Sequence, residues 1–85
     1  NYMPEIKITF SDGSIVIFHE EQSFQSVVKS NDAMSLSKIY SLWNHVHDGL
    51  IPSFLELIAN SQFFFDLENP QIYYASNAVI KIEAI

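Results

Sequence analysis

Apolar and polar residues alternate strictly over residues 5–10, with Ile6, Ile8 and Phe10 set against Glu5, Lys7 and Thr9. A period of two is that of a half-buried strand. Ser11-Asp12-Gly13-Ser14 follows, and Asp-Gly between apolar runs signals a hairpin. Residues 15–19 then form the return strand. A two-residue turn pairs Phe10 with Ile15, Ile8 with Ile17 and Ile6 with His19. It leaves Lys7, Thr9, Val16 and Phe18 on the other face. Val and Phe beside Lys and Thr do not make an ordinary solvated face. Either another element covers Val16 and Phe18, or they belong to a contact surface.

From residue 20 the period changes. Phe24, Val27 and Val28 have helical spacing, which predicts one or two helical turns before the Ser30-Asn31-Asp32 break. Asp32 can cap a longer helix, in which Leu36, Ile39, Tyr40, Leu42, Trp43 and Val46 fall within an arc of about 160°. Gly49 ends it. Pro52 suits the first turn of a second helix, with Ile51, Phe54, Leu55, Leu57 and Ile58 on one face and Ser53, Glu56 and Asn60 opposite. Residues 62–67 read as a strand apolar on both faces, residues 71–75 as the next, and residues 78–84 as the last, with turns at Glu68-Asn69-Pro70 and Ser76-Asn77.

The expected fold is α+β. The N-terminal hairpin and a C-terminal three-stranded meander join in one antiparallel sheet of about five strands, with the two central helices packed on one face. A partly closed small barrel is the alternative. At 85 residues the chain makes a single small domain, residues 1–85.

Composition narrows the function. There is no cysteine, which removes a disulfide framework and any thiolate zinc site and fits a cytoplasmic location. No apolar run exceeds four residues and no basic leader precedes one, so neither a membrane span nor a signal peptide is expected. Ten carboxylates and four lysines give a net charge of −6, and arginine is absent. Lys7, Lys29, Lys38 and Lys81 are dispersed, so neither nucleic acid nor an anionic membrane is an expected partner.

Little in the chain points to catalysis. No serine sits in a Gly-x-Ser-x-Gly elbow, and the carboxylate pairs Glu20/Glu21 and Asp66/Glu68 lack a recognisable partner residue. His45-Val46-His47-Asp48 suggests a metal, but on a helix residues two apart point about 200° from each other. His47 is then expected to pack near the helix end and His45 to be solvated. His19, Glu20 and His47 remain the weak metal-ligand candidates, and no cofactor is expected.

The aromatic residues carry the sharpest hint. Seven Phe, four Tyr and one Trp include the neighbours Tyr73-Tyr74 and Phe63-Phe64-Phe65, and neighbours on a strand face opposite ways. Some of these rings must leave the main core face. Val16, Phe18, Tyr73 and Tyr74 are therefore the candidate interface anchors. The competing reading is that residues 20–31 cover that face within the monomer.

The run Leu42-Trp43-x-His45-x-x-x-Gly49-Leu50-Ile51-Pro52, the aromatic strand after it and the ending Ser76-Asn77-Ala78-Val79-Ile80-Lys81-Ile82-Glu83 resemble short uncharacterised proteins of low-GC Gram-positive bacteria and their phages. The resemblance covers about the C-terminal half, carries no mechanistic motif, and implies a bacterial cytosolic protein without adding site residues. The expected function is a non-enzymatic protein-interaction module, self-associating as a homo-oligomer or binding another protein. The alternatives are an acidic regulator or inhibitor on a basic protein surface, and a small-ligand or metal-binding domain.

Overall fold

The computed structural model describes residues 3–85. Seven strands and one α-helix follow in the order β1 (Glu5–Phe10), β2 (Ile15–His19), β3 (Ser23–Ser30), β4 (Ala33–Ser41), α1 (Ile51–Ala59), β5 (Phe63–Asp66), β6 (Tyr74–Ala75) and β7 (Val79–Ala84). They form two antiparallel sheets, of order β2-β1-β7 and β4-β3-β5-β6. The expected single five-stranded sheet under two helices is therefore wrong: the molecule is mostly sheet, and α1 is the one α-helix among the described residues.

The first hairpin forms where the alternation places it, but one residue out of the expected register. Phe10 N–H donates to Ser14 O at 2.9 Å and Gly13 N–H to Phe10 O at 2.9 Å, so the loop has three residues. Gly13 takes the left-handed conformation this loop needs, at φ +89°. Ile6 therefore pairs with Phe18 and Ile8 with Val16. A one-residue slip reverses every side chain of the strand. Phe18 and Val16 join Ile6, Ile8 and Phe10 on the inner side, and Ile15 and Ile17 turn out to solvent.

Residues 20–31 and 32–49 are not helices. β3 and β4 form a long hairpin, closed at Asn31-Asp32, with Asn31 at φ 57°. Asn tolerates this left-handed backbone better than most side chains. β3 carries Val27 and Val28, and β4 carries Ser35, Ser37, Ile39 and Tyr40, a composition with little helix preference. A bulge opposite Ser26 shifts the register between Gln25 and Val27, so that Ser37 and Lys38 face one residue of β3. The Gln25 side-chain amide donates to the Ser37 carbonyl at 2.7 Å and to that of Ser26 at 3.0 Å, holding the bulge.

The second expected helix exists as α1, with Pro52 in its first turn. Its buried residues are Ser53, Phe54 and Leu57, while Leu55 is exposed, so the predicted faces are partly exchanged. The Ser53 hydroxyl explains this. It donates to Leu50 O at 2.8 Å and accepts the Trp43 N–H at 3.2 Å, which anchors the loop of residues 42–50 to the helix. Within that loop His45 and Gly49 exchange backbone hydrogen bonds of 2.8 and 3.2 Å, and Gly49 has φ +67°. Gly49 thus closes a tight turn rather than ending a helix.

The expected C-terminal meander is split between the sheets. β5 pairs with β3 and β6, and a 3-10 turn at Ser76–Ala78 then carries the chain across, so that β7 pairs with β1. Both sheets and α1 enclose one core of Ile6, Ile8, Phe10, Phe18, Phe24, Leu42, Leu50, Phe54, Leu57 and Phe64.

Candidate functional site

Side chains alternate across the four-stranded sheet, and the register sorts them. Phe24 and Ser26 of β3 point inward and are fully buried. Gln25, Val27 and Lys29 point outward. Their partners share that side: Ile39, Leu36 and Met34 on β4, and Phe65 and Phe63 on β5. Tyr73 lies beside Phe65, ring centroids 4.8 Å apart. Val27, Phe65 and Gln25 are nearly buried beneath their neighbours, but Met34, Ile39, Phe63 and Tyr73 are exposed, and Leu36 is 65% exposed. Val27, Met34, Phe63 and Tyr73 line an apolar hollow of about 340 Å³. No other element of the described chain pairs beyond β4, which is an edge strand, and residues 29–39 are exposed throughout.

The electrostatics of this face are one-sided. Lys29 is its one charged residue. The ten carboxylates lie elsewhere: on β1, β7, α1, the loops, and the inner side of β5, where Asp66 pairs across from Phe24. Asp66 is nearly buried and its oxygens are engaged, accepting from Gln22 Nε2 at 2.6 Å and from the Glu68 N–H at 2.9 Å.

Of the four anchors expected from the sequence, Tyr73 alone lies on this exposed apolar face. Phe18 is 3% exposed and belongs to the core, so it cannot serve as a surface anchor in the folded chain. Val16 is half-buried against the same core. Tyr74 packs between Phe10 and Phe64, with both ring-centroid distances 5.3 Å. Burial, assisted by the charge of Asp66, raises its phenol above the ordinary tyrosine value. Met34, Leu36 and Ile39 are not among the anchors the sequence singles out, and Phe63 is marked there only as one of the run Phe63-Phe64-Phe65 that cannot all face the core. The signal was present as Met34-Ser-Leu36-Ser, a period-two run hidden inside a longer helical spacing.

The metal candidates are not brought together. His19 is exposed with Nδ1 2.9 Å from the Glu20 carbonyl oxygen, and His47 sits in the exposed loop before Gly49. His45 stacks on Trp43, centroids 3.8 Å apart. Among the described residues no group of three or more His, Cys, Asp or Glu side chains could hold a metal ion. No helix of the described residues is long and apolar enough to cross a membrane. Comparison with protein-family models, curated proteins and solved structures finds no match to the chain.

Proposed function

We propose that this protein is a non-enzymatic interaction module that self-associates through the outer surface of its four-stranded sheet. The observation that carries the reading is the gathering of Met34, Leu36, Ile39, Phe63 and Tyr73 on one exposed side of β3, β4, β5 and the segment before β6. At about 150–250 Å² for a large side chain fully exposed, these five leave on the order of 500 Å² of apolar surface, near the upper end for a monomer. Burying that area is the driving force for association.

Charge favours a second copy as partner. Each chain carries −6, so two copies repel wherever their carboxylates meet. The outer face holds none of those carboxylates. Two copies can therefore meet there with the least repulsion, and added salt strengthens the contact by screening the rest. An acidic regulator seated on a basic protein would have to use a different surface. A cytoplasmic location belongs to the same reading and rests on the absence of cysteine.

The test is absolute mass by light scattering over a dilution series. The native chain is expected to remain dimeric into the low micromolar range. Leu36→Asp, at an exposed position, is expected to be monomeric with an unchanged circular dichroism spectrum. A native chain that is monomeric at every concentration overturns the reading.

A further inference from the structure

The β4 edge has a self-complementary sequence. The two-residue turn at Asn31-Asp32 makes Ser30 and Ala33 a hydrogen-bonded pair. The alternation of an antiparallel ladder then bonds Ser35 to Val28 and turns the N–H and C=O groups of Met34 and Leu36 away from β3. These free groups belong to the strand's exposed apolar residues. Around Ser35 the segment reads Asp32-Ala33-Met34-Ser35-Leu36-Ser37-Lys38. Reversed about Ser35, Met34 meets Leu36, Ala33 meets Ser37, and Asp32 meets Lys38.

We propose that β4 pairs antiparallel with β4 of a second copy, across a two-fold axis at Ser35. The proposal rests on the self-association reading and places the contact at the β4 margin of the outer surface, where it covers Met34 and Leu36 and leaves Phe63 and Tyr73, at and beyond β5, open. Met34 and Leu36 of one copy exchange their free backbone groups with Leu36 and Met34 of the other. Their side chains lie on the same side of the joined sheet and cover one another. Asp32 of each copy lies opposite Lys38 of the other, giving two ion pairs related by the axis. Neither residue has an ion-pair partner among the described residues, and Lys38 Nζ rests 5.2 Å from the centre of the Tyr40 ring.

The charges select the register. An axis at Met34 sets Asp32 against Leu36, and an axis at Leu36 sets Lys38 against Met34. Only the axis at Ser35 pairs charge with charge and apolar with apolar. The turn at Asn31-Asp32 and the bulge at Ser37 and Lys38 confine the regular pairing to Met34–Leu36, so the ladder is short and the Asp32 and Lys38 side chains meet at its ends. It is also closed: a two-fold contact uses both β4 edges and leaves none for a third copy.

The chain has no cysteine, so a single introduced thiol can form a protein–protein disulfide only with its own copy in another chain, by displacing glutathione from the mixed disulfide that the oxidant first forms. On the axis, Ser35 and its symmetry mate form a non-hydrogen-bonded pair about 4.5 Å apart between Cα atoms, close enough for a disulfide. Ser35→Cys in oxidised glutathione at micromolar protein is expected to give covalent dimer far faster than Gln71→Cys, which places an exposed thiol in the β5–β6 loop. Asp32→Lys and Lys38→Asp are each expected to weaken the dimer about tenfold at low salt, and the double variant to return within about threefold of the native Kd. A native dimer in which Ser35→Cys cross-links no faster than Gln71→Cys, or in which the double variant stays as weak as the singles, overturns the edge pairing and leaves self-association standing. A native chain that is monomeric throughout, with both thiols equally slow, overturns both.

Discussion

The ring of Phe18, on β2, stands edge-on to that of Phe24, on β3, with centroids 4.7 Å apart and planes at 64°. The two residues belong to different sheets, and their contact joins those sheets directly. Phe18 also lies 5.9 Å from Phe54 of α1 and 5.8 Å from Tyr74 of β6, so a single side chain ties together all three layers of the core.

Replacing that ring should therefore be costly. Phe18→Ala is expected to lose about 3–5 kcal/mol, a large share of the stability of a domain this small. Phe18→Asp is expected not to fold, because it buries a carboxylate without a partner. Urea denaturation followed by circular dichroism measures the first, and a native spectrum from Phe18→Asp would remove the residue from the core.

Ser53 is buried at the start of α1 and holds the loop before it. Without its hydroxyl the Trp43 N–H loses its acceptor. Ser53→Ala is expected to cost about 1–2 kcal/mol and to shift the emission of Trp43, the single tryptophan, as the loop loosens. An unchanged emission maximum together with unchanged stability would show that the loop is held by other contacts.

Tyr74 governs the alkaline limit. Burial, and then the negative charge of Asp66, disfavour its phenolate, so its folded pKa lies above the ordinary value of about 10. The unfolded chain then loses this proton first. The contribution to stability is whole below about pH 10 and is lost as the pH rises through the folded pKa. Urea midpoints are expected to fall above pH 10, and Tyr74→Phe to flatten that decline. An equal decline in the variant would assign it to other groups.

At the first hairpin, Asp12 Oδ1 accepts from the Ser14 hydroxyl at 2.6 Å and from the Ser14 N–H at 2.9 Å. The side-chain bond, then the backbone bond, hold its carboxyl below the usual aspartate value. Its contribution is present above about pH 4 and disappears as the pH falls through the lowered pKa. Carboxyl resonances followed by NMR should show Asp12 titrating below an ordinary aspartate, and Ser14→Ala should raise it. No movement in that variant would leave the depression to the backbone bond alone.

Strict alternation marks β1, and the Asp12-Gly13 turn after it marks residues 15–19 as the return strand β2. Pro52, followed by Phe54, Leu57 and Ile58, marked α1. The exposed face is legible in the sequence through Tyr73 and the Phe63-Phe64-Phe65 run. Met34, Leu36 and Ile39 fall in a stretch that reads as a helix, because Leu36 and Ile39 are three apart and Tyr40 follows at once. A bulge in a strand produces the same spacing: Ser37 and Lys38 together oppose Ser26, and the extra residue returns Ile39 to the side of Leu36.

The amino-acid sequence by itself determined the strand-forming alternation near the N-terminus, the helix after Pro52, and the excess of apolar and aromatic residues over what one small core can hide. It could do so because those properties are local. Tertiary structure alone decided which side each of those residues faces. One extra residue in the loop at Gly13 moved Phe18 from the surface to the core, and one extra residue at Ser37 and Lys38 placed Ile39 beside Leu36 on the outer face. Side chains on a strand alternate with a period of two, so a single residue in a loop or bulge reverses everything that follows it. Whether that residue is inserted is settled by the partner strand.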